Sequence, residues 1–324
     1  MINSKLMPLK KRFIKTIHLF FCLISVFFLA ACHKPRPRLI EMKQLKNYPS
    51  GSGLVFFNDF LYVIGDDAAA MIKTDSQFNE VDRIKLFVSG QKRIPKEIKA
   101  DIESVALTGQ NKSKTFLLLG SGSLVPYRNL CWIIDPGNNE KKQYQLDTFY
   151  NRLRNEGIRD LNIEGAATTP AGIVLSSRGN KSFPKNYLVF TVNRFWEKQE
   201  TATIRIVKVG SNTDTASFTG ISGLDYSYAS DQLLLTASTE NTYNSYADGA
   251  IGKSYLWIIN DISSKKRLDA MNPDRIIDLE EIDPRFKGHK IESVCIVAEN
   301  QKEKELVLVA DDDKGGTVLF RVKI

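Results

Sequence analysis

Five short segments of the chain put Ser or Glu in the same local setting. They are Gly51-Ser52-Gly53-Leu54, Ile102-Glu103-Ser104-Val105, Ile163-Glu164-Gly165-Ala166, Ile221-Ser222-Gly223-Leu224 and Ile291-Glu292-Ser293-Val294. Successive polar markers lie 51, 61, 58 and 70 residues apart, the length of a propeller blade with variable loops. In a propeller the innermost strands run along a central channel, so equivalent positions of the repeats converge on its axis. Three glutamates drawn together repel unless they are protonated or neutralised. A hard cation resolves this simply: calcium takes about six to eight oxygen ligands at roughly 2.3–2.6 Å in tolerant geometry, whereas magnesium asks for a stricter octahedron. Ser52, Glu103, Glu164, Ser222 and Glu292 are therefore expected to hold Ca²⁺. Each marker alone reads equally well as a turn residue at the start of a strand; the recurrence carries the expectation.

A second polar set follows the second strand of each repeat: Asp66 and Asp67, Ser121 and Ser123, Arg178 and Lys181, Glu240, and Asp311, Asp312 and Lys314. These loops are expected to gather at one end of the channel. Asp66, Asp67, Arg178, Glu240 and Asp311 form the candidate catalytic or substrate set. Acids could orient a water or hold a second cation, and a guanidinium could grip a phosphate at two points. The run from Asp311 to Gly316 fits a solvated turn equally well. Other catalytic classes find little support. The chain has three histidines, His18, His33 and His289, and it lacks a nucleophile elbow, a phosphate-cradling loop, a dinucleotide fingerprint and a zinc-protease motif.

The elements that must position these residues are strands. About 10 to 15 residues after each marker comes a second apolar run, as in FLYVIGDD, TFLLLGSGS, GIVLSSRGN, QLLLTASTEN and LVLVADDDKGG, each passing into a polar, glycine-rich or acidic turn. A third run follows in every repeat (AMIKTD, LCWIID, YLVFTV, YLWIIN, TVLFRVK), and a fourth in most, for example RIKLF, KQYQLD and TIRIVKV. Each repeat is a short antiparallel meander, which predicts an all-β, five-bladed propeller, with six blades the alternative. The last repeat ends after its third strand, and RLIEMKQL near the N-terminus stands unassigned. That segment is expected to complete the last blade and close the ring, removing an exposed edge. The one convincing helix signal is TFYNRLRNE, around Thr148 to Glu156.

The N-terminus reads as an export signal. Lys5, Lys10, Lys11, Arg12 and Lys15 precede an apolar run from Ile17 to Ala31, and Leu29-Ala30-Ala31 precede Cys32. This is the basic, apolar and small-residue plan of a secretory signal, and the run is shorter than the roughly 20 residues of a membrane span. The pattern resembles a bacterial lipobox, which implies cleavage before Cys32 and lipid on its thiol. The expected organisation is a lipoprotein signal peptide over 1–31, a lipidated tether over 32–36 and a single propeller over 37–324, anchored to the cell envelope on its periplasmic or outer face. The signal carries five basic residues and no acid, so the formal charge of +8 falls to +3 in the mature chain. Composition gives no argument for nucleic acid, and a monomer is expected. Cys131 and Cys295 sit in apolar runs of different repeats, where two buried free thiols are the simpler reading beside a disulfide.

The order Ser, Glu, Glu, Ser, Glu around five repeats resembles the calcium-activated nucleotidase (apyrase) family, five-bladed propellers with an axial calcium ion. SGLVFFNDFLYVIGDDAA is similar to the first blade of that family, and LRNEGIRDLNIEGAATTPAGIVLSSRGN to the entry and second strand of its third, ending at Arg178. Phytase-like esterase propellers share similar triplets. The chain departs from the nucleotidases after its paired acids, where Asp66-Asp67 continue into Ala68-Ala69-Ala70 in place of an arginine. The resemblance implies a calcium-dependent hydrolase of phosphate compounds, nucleoside di- or triphosphates among them. The rival reading is a non-catalytic binding module with structural calcium that recognises a glycan, peptide or envelope protein.

Overall fold

The chain enters the ring on β1 (Arg38–Leu45), which pairs antiparallel with the last strand of the sequence. Four complete blades follow: β2 (Gly51–Phe57), β3 (Phe60–Gly65), β4 (Ala70–Thr74) and β5 (Glu80–Lys85); β6 (Ile102–Thr108), β7 (Thr115–Gly120), β8 (Leu130–Ile134) and β9 (Lys141–Gln145); β10 (Ile163–Thr169), β11 (Gly172–Ser177), β12 (Asn186–Thr191) and β13 (Ile204–Val209); and β14 (Thr219–Ser227), β15 (Gln232–Glu240) and β16 (Ile251–Ile259), completed by a strand described below. The computed structural model describes residues 36–89, 91–109, 114–210, 218–240, 242–244, 251–265, 267–311 and 315–324. The signal segment, Cys32, Asp312 and Lys314 lie outside the described residues.

Within the fourth blade, between β16 and its outermost strand, the chain makes a detour that the repeats do not announce. A two-residue strand, β17 (Ala270–Met271), lies parallel on the edge of β13, and β18 (Arg275–Asp278) then returns to close the fourth blade against β16. The fifth blade is β19 (Lys290–Glu299), β20 (Lys304–Asp311) and β21 (Thr317–Lys323), with β1 as its outermost strand. Five sheets and this closing strand match the architecture expected from the repeats. The helix expected near Thr148 is α1 (Asp147–Asn155), which buries Phe149, Tyr150 and Leu153. A second, one-turn helix, α2 (Leu279–Ile282), is capped by the Asp278 carboxylate, and the sequence reading missed it because a single turn has too few residues to show helical periodicity.

Burial falls from the axis outward. β7 and β11 are buried along most of their length, while β5 and β9 expose nearly every residue. That gradient is why second strands read as continuous apolar runs and fourth strands as mixed ones. Neighbouring blades pack face to face through five apolar clusters, one of which joins Ile64, Met71 and Ile84 of the first blade to Ile102, Val105 and Leu118 of the second. Near the axis the inner strands come too close for side chains. A Cβ on Gly223 would lie 2.3 Å from Ser293 Oγ, and one on Gly165 would lie 2.9 Å from Gly223 Cα, each on the inner strand of the next blade. The small residue after each marker answers to that crowding.

Candidate functional site at the channel mouth

Every marker coincides with a break in strand register. Pairing jumps from Gly51 to Gly53, Ile102 to Ser104, Ile163 to Gly165, Ile221 to Leu224 and Ile291 to Ser293. Ser52, Glu103, Glu164, Ser222 and Glu292 are thus the extra residues of five equivalent β-bulges. A bulge leaves its residue outside the ladder and re-aims the side chain. Apolar neighbours such as Ile102 and Ile163 stay in the core, and the polar marker turns toward the axis.

Four markers, Ser52, Glu103, Glu164 and Glu292, line one cavity of about 450 Å³. Asp66, Asp67, Arg178, Glu240 and Asp311 line it as well, so the loops after the second strands open at the marker end of the channel. Ser222 is fully buried behind the wall, where its hydroxyl accepts a hydrogen bond from Arg178 Nη1 at 2.8 Å. The Ser52 hydroxyl donates to the Ile102 carbonyl of the next blade at 2.7 Å. Ser121 and Ser123 support the Asp101 carboxylate at 2.5 and 3.3 Å. Lys181 lies over the Tyr243 ring, 5.5 Å from its centroid, and His289 packs on Phe320; neither lines the cavity among the described residues.

Protein cations lie between the acids, and sequence reading did not place most of them. On one side, Lys99 bridges Asp66 and Asp101, with 2.8 Å to the latter, and fully buried Arg128 holds Asp101 at 2.7 Å. Arg93 pairs with Asp67 at 2.5 Å. On the other side, Arg178 binds Glu240 at 2.6 Å and approaches Glu164 at 4.0 Å. Lys290 bridges Glu292 at 2.9 Å and Glu240 at 3.3 Å. A usable sequence signal existed for two of these residues, Asp101 and Lys290. The position two before each marker carries Ser50, Asp101, Asn162, Gly220 and Lys290, and all but Gly220 line the cavity. Glycine is required there in the fourth blade, because a Cβ on Gly220 would lie 2.6 Å from Arg178 Nε. Ser50 and Asp101 adopt left-handed backbone, with φ of 45° and 54°, an uncommon conformation for residues with a side chain.

Eight carboxylates and six cations line the cavity among the described residues, a formal balance of −2. Burial pushes Asp66 up to about 6, Lys99 pulls against it, and Asp101 and Asp67 add to the rise. Burial also raises Glu103 well above the carboxylate range, reinforced by Asp101, Asp66 and Glu164. Glu164 is pushed up to about 7, by burial first, with Arg178 opposing and Glu292 adding. Asp101 goes the other way: burial would raise it, but Lys99 and Arg128 together hold it below its usual value. Among the described residues, three buried carboxylate oxygens have no hydrogen-bond partner: Asp66 Oδ1, Asp67 Oδ1 and Glu292 Oε2. Asp66, Asp101 and Glu103 each present an oxygen within 4.8 Å of the others, a hard donor set for a cation, though Lys99 already engages two of the three.

Comparison with solved structures returns propellers at low identity. Glutaminyl cyclase from Myxococcus xanthus superposes with a TM-score of 0.50 at 11% identity, covering 88% of this chain and 95% of that one. Virginiamycin B lyase from Staphylococcus aureus gives a TM-score of 0.40 at 7% identity over 88% and 99%. At such identities the first likeness speaks for the fold alone. No curated protein sequence matches the chain. Residues 47–324 match the model of DUF6929, described as a family of unknown function, and the chain belongs to that family.

Proposed function

We propose that this chain is a cell-envelope enzyme, tethered through lipid on Cys32, that hydrolyses a small polar compound in the cavity at the channel mouth. The observation that carries the reading is Glu164: a bulge delivers it to the cavity wall with its carboxyl pushed up to about 7. A carboxyl near the working pH can both give and take a proton, which suits general acid/base catalysis. Asn162 Nδ2 donates to Glu164 Oε1 at 2.5 Å and fixes the rotamer. Arg178, anchored by Glu240, Ser222 and Ser238, places a fixed positive charge beside it. In this reading Glu164 protonates the leaving group, or takes a proton from the attacking water, at Oε2, the oxygen that Asn162 does not hold.

Calcium enters the proposal at Asp66, Asp101 and Glu103, where the unpartnered Asp66 Oδ1 leaves a coordination position. A cation there would polarise a substrate oxygen and offset negative charge. Phosphate compounds belong to this reading only with that cation present, because eight acids stand against six bases along the cavity and Arg178 is engaged by protein acceptors. The test is turnover by the purified full chain on phosphate esters, phosphoanhydrides, carboxylic esters and amides, with calcium or chelator, from pH 5 to 9. Glu164→Gln is expected to lower the rate on the accepted substrate by about 10²-fold or more. Absence of turnover on every class would sink the enzyme reading and leave a binding module.

A further inference from the structure

The upper cavity surrounds its acids with cations yet leaves particular oxygens without partners. Asp67 is 3% exposed and Glu292 7%. Each is paired through one oxygen, Asp67 Oδ2 to Arg93 at 2.5 Å and Glu292 Oε1 to Lys290 at 2.9 Å. The other oxygen of each, Asp67 Oδ1 and Glu292 Oε2, is buried without a hydrogen-bond partner. They belong to the first and fifth blades, whose inner strands adjoin at the closing seam, and both residues line the cavity. A buried acceptor left unmade costs free energy that nothing in the protein recovers.

What these oxygens lack is a directional donor more than a bare charge, since a resident cation already sits on the opposite side of each carboxylate. The cavity as a whole still holds two more acids than bases. A ligand that answers both demands carries N–H donors and positive charge. An anion fails both, because Arg93, Lys99, Arg128, Arg178 and Lys290 each face a carboxylate. A volume of about 450 Å³ lies in the range of small-molecule pockets.

We propose that the cavity recognises a small organic ammonium compound, its N–H groups donating to Asp67 Oδ1 and Glu292 Oε2. This rests on the reading of the cavity as a ligand site and names the chemistry of its substrate. Recognition involves no covalent step.

The test is calorimetry and thermal melting of the full chain with 1,5-diaminopentane, with 1,5-pentanediol as its uncharged counterpart, and with inorganic phosphate and calcium chloride as separate arms at matched ionic strength. The diamine is expected to bind saturably and raise the melting midpoint, and to bind at least tenfold more tightly than the diol or phosphate. Asp67→Asn with Glu292→Gln is expected to weaken the diamine at least tenfold. Should that double variant fail to fold, the diamine-to-diol ratio on the unaltered protein decides. Equal binding of diol and diamine, tighter binding of phosphate or calcium, or no diamine binding would overturn the proposal. Turnover of a nitrogen-free substrate that depends on Glu164, with no diamine binding, would remove the ammonium specificity and leave the enzyme reading standing. Diamine binding without turnover on any substrate would do the reverse.

Discussion

The two mouths of the channel are built from the same five inner strands and differ in almost every other respect. At the upper mouth, bulges bring charged residues to a polar cavity in which, among the described residues, three carboxylate oxygens lack partners. The lower mouth encloses about 250 Å³ between Leu54, Val105, Leu107, Ala166, Leu224 and Ile296, among others. It too has a buried acid, Asp225, pushed up to about 6 by burial while backbone N–H bonds oppose the rise. Both Asp225 oxygens are satisfied, one by Tyr226 N and the other by Ile296 N, each at 2.8 Å. A buried acid that organises backbone is a structural device; a buried acid with an oxygen left over waits for something else. A carboxyl raised by burial occurs at both mouths and does not separate them; the completeness of its hydrogen bonds does.

The sharpest way to break that contrast is to remove a cation from the upper network. Arg178→Met leaves Glu240 with Lys290 as its remaining ion-pair partner among the described residues and takes the Arg178 charge away from Glu164, so a loss of about 3 kcal/mol is expected in denaturant unfolding. A loss no greater than that of a lower-mouth change would mean that the network does not hold the upper mouth together.

Acidification comes next. Glu164 is raised from 4.5 to about 7 and Asp66 from 3.8 to about 6. Between those limits the folded state binds protons that the unfolded chain has released, so stability falls as pH rises through the window. The chain should melt higher at pH 5 than at pH 8, by on the order of 3 kcal/mol, and Asp101, whose carboxyl is held low, should give up its stabilising share only below pH 4. A flat melting profile from pH 5 to 8 would show that these carboxyls are not raised.

Gly223→Ala tests the axis between the mouths. Its new methyl would sit 2.6 Å from Ser293 Cα, and overpacking of this kind costs about 1–3 kcal/mol. The smallest effect belongs to the lower rim: Tyr228→Phe removes one hydrogen bond to the Thr168 carbonyl from a side chain 61% exposed, for a loss of about 0.5–1.5 kcal/mol at most. A larger loss there would make the lower mouth more than a rim.

The repeat period, the blade count and the closing strand were legible in the chain because they rest on local patterns. Alternation of apolar residues, turn chemistry at regular intervals and an unpaired third strand at the C-terminus can each be read within a few tens of residues. The marker position was legible for the same reason, and with it the expectation that Glu103, Glu164 and Glu292 would reach the axis. That they do so through bulges was not, because a bulge is a relation between two strands and appears in the sequence of neither.

Tertiary structure alone decided how the acids are accommodated. Arg178 meets Glu240 across 62 residues, and Arg128 meets Asp101 across 27; no local pattern encodes those pairs, since Coulomb attraction depends on distance in space and on burial. From sequence, calcium answers the repulsion of three glutamates drawn to one axis; Arg178 reads there as a substrate group at the mouth, and Lys99, Arg128 and Lys290 have no assigned place. The sequence named the acids that come together at this mouth; the fold determined which cations stand beside them and which oxygens, Asp67 Oδ1 and Glu292 Oε2, are left for a ligand.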